Sequence, residues 1–222
     1  MALNKSKGNM YSFVDFTWNP IKGKCEQHDC IYCYMKQFKL NPVRLDEGEL
    51  KVNLGLHRKI FVGSSTDMWA EDIPTRWISL SLMHADQYPN TYYYQSKNPK
   101  RFSEFDIFPH NFLGTTIETN RIDYDGDFST APLVNKRFAA MRNIKRLRKK
   151  TFITIEPIMD FDVIDFAKEL LYCQPDFVNI GADSKRHNLP EPSWEKVQEL
   201  IVELSKFTEV RQKSNLERLK HD

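Results

Sequence analysis

Short apolar runs alternate with amphipathic stretches along most of the chain. Runs rich in β-branched and aromatic residues are typical of strands, and they occur at 10–16, 59–63, 91–95, 112–117, 151–155 and 176–181. Apolar residues at helical spacing predict helices over 76–86, 132–150, 163–173 and 193–207. Ser193 is the expected N-cap of the last helix. The pattern therefore predicts six strands, most of them followed by a helix.

Several of these strands are continuously apolar, which suits a parallel sheet that is covered on both faces. We therefore predict an α/β fold, most simply a partial (β/α)6 barrel, with a doubly wound sheet as the alternative. No repeat or linker interrupts the pattern, so residues 1–222 are expected to form a single domain, with the C-terminal helix from about 193 packing on it. In both folds ligands bind at the carboxyl ends of the strands, so the polar residues that follow each run are the candidate site.

Composition narrows the class of protein without indicating a partner. Apolar residues make up 41% of the chain and charged residues 28%, which is ordinary for a globular domain. The net charge of +2 is too small to predict binding to a polyanion. No apolar run approaches the roughly 18 residues of a membrane span, and the N-terminus lacks the apolar segment of a signal peptide. We therefore expect a cytoplasmic protein that does not bind a membrane.

Three of the four cysteines, Cys25, Cys30 and Cys33, lie within nine residues, directly after the first predicted strand. In a cytosolic chain such clustering indicates a metal site and not disulfides. Three thiolates would leave one iron of a [4Fe–4S] cluster open to a further ligand, which makes such a cluster the first prediction. A structural zinc ion would need a fourth ligand, from His28 or Cys173, and stays the alternative. Cys173 is better explained as a buried structural cysteine.

The segment Cys25-x4-Cys30-x2-Cys33, with Tyr32 before the last cysteine, resembles the cluster loop of the radical S-adenosylmethionine (SAM) superfamily. The commonest spacing there is C-x3-C-x2-C, so the first gap here is one residue longer. The order of the runs TWNPIKGKC, CIYCY, FVGSSTDMW, YYQSKNPKRF, LGTTIETNR, TIEPIMDFD and VNIGADS resembles a phage and bacterial branch of uncharacterised radical SAM-like proteins. Spore photoproduct lyase is the distant relative of known chemistry. The resemblance covers about residues 13–184.

The resemblance implies an enzyme that cleaves SAM reductively at a [4Fe–4S] cluster. The products would be methionine and a 5′-deoxyadenosyl radical, which abstracts a hydrogen atom from the substrate. The resemblance also implies an electron donor of the flavodoxin or ferredoxin type and a nucleotide or nucleic acid as substrate. Two other classes of protein stay open: a zinc-stabilised nucleic-acid-binding module without catalysis, and a degenerate relative that binds SAM as a partner protein.

The same resemblance implies that SAM binds at the end of the second predicted strand. Gly63, Ser64, Thr66 and Asp67 occupy the place of the superfamily's methionine-binding run. Asp67 would accept hydrogen bonds from the ammonium, and Ser64 or Thr66 would bind the carboxylate. Tyr32, in the cluster loop, would also contact the cofactor.

Further strand ends carry candidate polar residues. The resemblance implies that polar side chains at the end of the fourth predicted strand hold the ribose hydroxyls of SAM. Glu118 is the first candidate, because a carboxylate can accept from two hydroxyls, and Thr116 and Asn120 are secondary candidates. Glu156 follows a strongly apolar strand, where a carboxylate needs a partner. We expect Lys97 to pair with it across the mouth of the site, and these two are the candidate catalytic residues.

An anionic substrate is expected on the same face. Basic residues follow the third and sixth predicted strands, namely Lys97, Lys100, Arg101, Lys185, Arg186 and His187. Asp183 and Ser184 precede the second group and are expected to contact the substrate with it. Three aromatic residues near the strand ends, Trp18, Tyr34 and Trp69, are candidates for stacking on bases. The basic stretch 135–150 is mostly the polar face of a helix and is a second candidate for phosphate contact.

Overall fold

The computed structural model describes residues 3–25, 28–39, 41–121 and 128–221. Within them the strands are β1 (Asn4–Lys5), β2 (Phe16–Trp18), β3 (Ile21–Lys22), β4 (Arg44–Leu45), β5 (Lys59–Val62), β6 (Thr91–Gln95), β7 (Phe112–Thr116), β8 (Lys150–Ile155), β9 (Phe177–Ile180) and β10 (Glu209–Gln212). The α-helices are α1 (Thr75–Ala85), α2 (Val134–Arg146), α3 (Val163–Cys173) and α4 (Trp194–Ser205). Short 3-10 helices occupy Tyr34–Gln37, Glu49–Lys51, Pro99–Glu104 and Ser214–Lys220.

Eight strands form one sheet in the order β1-β2-β5-β6-β7-β8-β9-β10, and β3 pairs with β4 separately. All neighbours in the large sheet are parallel except β1 and β2. The predicted α/β class is confirmed. A doubly wound sheet reverses its strand order at a switch point, and this sheet follows the chain order throughout, so that alternative is wrong. The partial barrel stays a prediction.

The four predicted helices are confirmed, with small differences at their ends. Ser193 accepts a hydrogen bond from the backbone N–H of Lys196, as expected of an N-cap. Helix α2 ends at Arg146, before the predicted end, because Arg148 adopts a left-handed backbone (φ +57°) and Lys150 already begins β8. Helix α4 packs against α3 and β10. None of the described helices is long and apolar enough to cross a bilayer.

The predicted strand at 10–16 is wrong, since only its last residue lies in β2. The segment 10–14 crosses one face of the sheet instead and packs its aromatic side chains there. We call this the inner face, which carries the ring side chains of Phe61, Tyr93, Phe152 and Phe177. The neighbouring residues of the same strands point to the opposite face of the sheet. They belong to the larger core, which they form together with the helices. Aromatic content thus predicted burial correctly at 10–14 but not strand pairing.

Candidate functional site

The carboxyl ends of the parallel strands open onto one cavity of about 580 Å³. Its lining includes residues at the ends of six strands, namely Gly63, Gln95, Thr116, Glu156, Ala182 and Lys213. The loop 24–37, here called the cysteine loop, supplies much of the remaining lining. A cavity of this size is typical of a small-molecule site.

Cys25, Cys30 and Cys33 all line this cavity, and none forms a disulfide. Cys30 is buried, and its sulfur lies 2.9 Å from the Lys97 ammonium nitrogen and 3.1 Å from the Ser129 hydroxyl oxygen. Burial, helped by the Asp67 carboxylate, raises the pKa of the Cys25 thiol to about 12. The three thiols therefore face one space, where a positively charged or metallic ligand would favour their thiolate forms.

A buried ion network lies behind Cys30. Lys97 Nζ lies 3.2 Å from Glu118 Oε1 and donates to the Tyr32 hydroxyl at 2.5 Å. Arg137 donates to Glu118 Oε2 at 2.7 Å, and the Tyr32 hydroxyl donates to Glu118 Oε1. Burial alone would raise the pKa of Glu118, but Arg137 and Lys97 hold it well below its usual range. Burial alone would lower the pKa of Lys97, but Cys30 and Glu118 raise it. Glu118 is thus an ionised anchor for two cations.

The expected pair between Glu156 and Lys97 is wrong. Glu156 Oε2 accepts from Lys213 at 2.5 Å, and Glu156 Oε1 accepts from Asn9 and Asn215, each at 2.8 Å. Lys97 and Lys213 both follow strands two places from β8, but the register of β8, β9 and β10 places Lys213 level with Glu156. The Lys97 ammonium lies against Cys30 and Glu118 instead. Both predicted residues line the cavity, but in separate charge networks.

The Asp67 carboxylate is already engaged by the protein. Its Oδ1 accepts from the backbone N–H of Trp69, and its Oδ2 accepts from the Ser96 hydroxyl and the Lys97 N–H, each at 2.9 Å. His28 Nδ1 lies 3.2 Å from Oδ2, and burial lowers the pKa of His28. Asp67 therefore ties the end of β5 to the end of β6 and to the cysteine loop.

The rest of the β5 end also lines the cavity. Gly63 adopts φ +79°, a conformation that favours glycine, and so turns the chain directly after the strand. The Ser64 hydroxyl donates to Asn19 Oδ1 at 3.1 Å, and the Thr66 hydroxyl donates to the Gly23 carbonyl at 2.9 Å. The hydroxyls hold the turn against the segment that leads into the cysteine loop.

Of the candidates after β7, Thr116 lines the cavity and accepts from Gln95 Nε2 at 2.9 Å. Glu118 lies behind Lys97 and Tyr32, and Asn120 exchanges hydrogen bonds with the backbone of Asp162. Within the described residues the lining includes neither of these two. The structure therefore brings Thr116 to the cavity and leaves Glu118 and Asn120 outside its wall.

Several expected substrate contacts are wrong because their side chains are buried. Arg101 donates to the carbonyls of Ala70 and Ile73 and ties down the loop before α1. Trp18 and Trp69 belong to the core and cannot stack on a base. Tyr34 is exposed and lines the cavity, and it stays a candidate for stacking.

The other basic groups divide between the cavity and the outer surface. Lys185 and His187 line the cavity, whereas the lining within the described residues does not include Lys100 or Arg186. On α2, Arg142 and Lys145 form ion pairs with acidic residues of neighbouring elements. Arg137 of the same helix is buried. A phosphate contact by α2 stays a prediction.

Three residues that sequence reasoning missed are Tyr11, Asn9 and Lys213, which all line the cavity. The Tyr11 hydroxyl donates to Gln95 Oε1 at 2.7 Å and lies 2.9 Å from the Thr154 hydroxyl. No local signal marks Tyr11 or Asn9, because their segment pairs with no strand. Lys213 was detectable, since the short run at 209–212 follows a helix as the other strands do.

Of the two candidates for a fourth zinc ligand, His28 lines the cavity and lies 3.2 Å from Asp67, whereas Cys173 is outside the described lining. Cys173 is buried between α2 and α3, where its thiol donates to the Phe138 carbonyl, as expected of a structural cysteine. Among the described residues, no group of three His, Cys, Asp or Glu side chains has the arrangement that holds a single metal ion. A closed tetrahedral zinc site thus gains no support from these residues.

No protein-family model matches the chain, and no curated protein matches its sequence. Solved structures do match its fold. The fold resembles that of spore photoproduct lyase. A cysteine-to-alanine variant of that lyase with a dinucleoside spore photoproduct has a TM-score of 0.63 and 11% identity, over 93% of this chain and 66% of that one. A cysteine-to-serine variant gives 0.66 and 11% over 92% and 78%, and a tyrosine-to-phenylalanine variant gives 0.67 and 10% over 95% and 80%.

At 10–11% identity this likeness to spore photoproduct lyase shows a shared fold alone. The chain spans just under two thirds of the first of these structures and about four fifths of the other two. The chemistry must therefore be argued from the residues of this chain.

Proposed function

We propose that this chain is a radical SAM enzyme that acts on a nucleotide or nucleic-acid substrate. The observation that carries the proposal is that Cys25, Cys30 and Cys33 line the same cavity as the carboxyl ends of the parallel strands. The shared fold with spore photoproduct lyase supports it, and one of those structures holds a dinucleoside spore photoproduct. A nucleotide-type substrate for this chain rests on that likeness and on the basic residues of the cavity.

The donor set fits a [4Fe–4S] cluster. Three soft thiolates suit iron–sulfur ligation, and three ligands leave one iron for SAM. Lys97 lies within hydrogen-bond distance of Cys30 and would donate to its ligating sulfur. The Ser129 hydroxyl, also near this sulfur, donates its proton to the His28 carbonyl. When bound, the cluster and SAM supply an electron and a 5′-deoxyadenosyl radical that abstracts a hydrogen atom.

The remaining roles belong to the protein. We assign the methionine end of SAM to Gly63, Ser64, Thr66 and Asp67, which form one continuous turn at the cavity. Thr116 is the ribose contact that this geometry favours, since it faces the cavity whereas Glu118 and Asn120 lie outside its lining within the described residues. Tyr32 lines the cavity with its ring centre 4.2 Å from the Lys97 ammonium, and we assign it to the wall that contacts the cofactor.

Glu156 and Lys97 keep their assignment to the reaction as separate groups on different walls of the cavity. The electron would come from a donor of the flavodoxin or ferredoxin type. The four free cysteines suit a reducing compartment, which supports the cytoplasmic assignment.

Anaerobic reconstitution tests the proposal. The full chain should bind about four irons and absorb near 400 nm, and it should cleave SAM to 5′-deoxyadenosine with a reductant. Cys25→Ala, Cys30→Ala and Cys33→Ala should each lose iron, whereas the matched control Cys173→Ala should keep it. Deuterium transfer from labelled nucleotides into 5′-deoxyadenosine would identify the substrate.

Other results of this experiment would favour other classes of protein. Colourless protein with one zinc per chain would overturn the proposal in favour of a zinc-stabilised module. A cluster that binds SAM without cleaving it under strong reductant would indicate a degenerate partner protein.

A further inference from the structure

The loop after β9 holds a buried carboxylate against a histidine at the cavity. Asp183 is only 3% exposed, and its Oδ1 lies 2.7 Å from His187 Nδ1. The carboxylate also accepts the backbone N–H groups of Lys185 and His187. Burial alone would raise the pKa of Asp183, but these hydrogen bonds outweigh it and hold the pKa below its usual value. Asp183 is therefore ionised, and its hydrogen bonds to Lys185 and His187 hold the loop in one conformation.

An ionised carboxylate only accepts hydrogen bonds, so His187 Nδ1 must carry the proton of that contact. The other ring nitrogen, Nε2, is then left for a ligand, as in histidines whose tautomer is set by a carboxylate. His187 lines the cavity, and its side chain is 25% exposed to solvent. His187 thus presents its Nε2 atom to the cavity in a fixed orientation.

The loop is braced from behind by residues outside the cavity lining. Arg218 donates to the Asp183 carbonyl at 3.2 Å and pairs with Glu191. Glu191 in turn accepts from the Asp183 N–H at 3.2 Å. Because these bonds hold the backbone at Asp183, the loop does not depend on the His187 ring alone.

The cavity is lined by more lysines than carboxylates among the described residues. Lys7, Lys185 and Lys213 line it together with Glu156 and Asp183. Both carboxylates already accept hydrogen bonds from the protein. An anion that enters beside His187 therefore meets the Lys185 ammonium of the same loop, and the nearby carboxylates of Glu156 and Asp183 are already held by the protein.

We propose that His187 and Lys185 bind a phosphate group of the substrate, with Asp183 as the positioning residue for His187. Phosphate offers several acceptor oxygens at once. An imidazolium ring held between the Asp183 carboxylate and a bound phosphate carries both protons, so that Nδ1 donates to Asp183 and Nε2 donates to the phosphate beside the Lys185 ammonium. The groups that face the ring or its loop are Asp183, Lys185, Glu191 and Arg218, and Lys7 and Lys213 also line the cavity. The inference rests on the proposed function only in treating the phosphate as part of the substrate.

Binding can be measured on the full chain without a cluster, which separates this inference from the proposed function. The probes are thymidine 5′-monophosphate, inorganic phosphate and phosphate-free thymidine, with ¹⁵N-histidine NMR as the readout. The nucleotide should shift the His187 signals, and thymidine should not. His187→Gln and Lys185→Gln should each weaken binding about tenfold, the usual loss for one charge-assisted hydrogen bond. The matched controls are His110→Gln and Lys100→Gln, at exposed residues outside the described lining, and they should bind normally.

Asp183→Asn tests the positioning role. The ¹⁵N shifts of His187 should change from one tautomer to a mixture, and nucleotide binding should weaken although Asp183 does not touch the ligand. Circular dichroism checks that the variant is folded, and if it is not, the His187 and Lys185 variants decide the question.

Equal nucleotide affinity in His187→Gln and the wild-type protein would overturn the inference. So would binding of thymidine as tight as that of its monophosphate. A chain that binds the nucleotide through His187 but never assembles a cluster would support this site and contradict the proposed function. SAM cleavage without any phosphate binding would support the proposed function and contradict this site.

Discussion

The ammonium of Lys97 lies 2.9 Å from the sulfur of Cys30 and 3.2 Å from the carboxylate of Glu118. One buried cation thus links a proposed cluster ligand to the ion network of β7 and α2. A positive charge beside an iron–sulfur cluster favours its reduced, more negative form. Lys97 is therefore placed to influence both cluster reduction and the packing of the cysteine loop.

Lys97→Met should lower the midpoint potential of the reconstituted cluster. Loss of one charge-assisted hydrogen bond corresponds to a shift on the order of 100 mV for a one-electron couple. Potentiometric titration followed by electron paramagnetic resonance measures it. Lys97→Arg, which keeps the charge, is the control and should lie close to the wild-type potential. A potential unchanged in Lys97→Met would show that the ammonium does not act on the cluster.

Arg137→Met should be strongly destabilising, because it leaves Glu118 buried with Lys97 as its remaining cation. Breaking a buried pair from one side costs about 3–5 kcal/mol in the free energy of unfolding. The partly exposed pair of Arg142 with Glu169 is the control, and Arg142→Met should cost about 1 kcal/mol or less. Urea denaturation measures both. Equal effects of the two substitutions would contradict the buried ion network.

The lowered pKa of Glu118 also predicts a pH dependence. A carboxyl whose folded pKa is depressed contributes stability above its unfolded pKa of about 4.3, and this contribution is lost as the pH falls toward the folded pKa. The free energy of unfolding of the wild-type protein should therefore decrease between about pH 5 and about pH 3. Glu118→Gln should show a smaller decrease over the same range, and an unchanged slope would rule Glu118 out as a source of it.

Tyr11→Phe should cost about 1–2 kcal/mol, because it removes a buried hydroxyl that bonds Gln95 and Thr154. Chemical denaturation of the variant gives the value. Tyr172→Phe, at an exposed residue, is the matched control and should change the free energy of unfolding by about 0.5 kcal/mol or less. If Tyr11→Phe changed the free energy of unfolding no more than Tyr172→Phe, the Tyr11 hydroxyl would not anchor the segment 10–14.

The sequence pattern predicted those parts of the fold that depend on local periodicity. All four predicted helices and the strands from β5 to β9 follow from apolar spacing, and strand-end polarity located part of the cavity lining. Pairing across the cavity was not predictable. The expected partner of Glu156 was Lys97, but the register of β8, β9 and β10 supplies Lys213 instead.

Burial of polar and aromatic side chains was the second gap. Arg101, Trp18 and Trp69 follow predicted strands, as substrate-binding residues do. In the structure Arg101 bonds backbone carbonyls, and the two tryptophans pack in the core. Sequence position gives the end of a strand but not the direction of a side chain. Asp183 and His187 are a case of an interaction that was not expected. They form a hydrogen-bonded pair, but their spacing of four residues in the sequence gave no sign of it.

The segment 9–14 is bound to parts of the chain that lie far along the sequence. Tyr11 bonds Thr154 across 143 residues, and Asn9 bonds Ser184 across 175 residues. Contacts of such long range slow folding, because the intervening chain must be ordered before they form. During synthesis on the ribosome the aromatic residues of this segment therefore stay exposed until about residue 184 has emerged. Through this interval Tyr11 and Phe13 are exposed apolar surface, which makes a nascent chain of this protein a natural client for a chaperone.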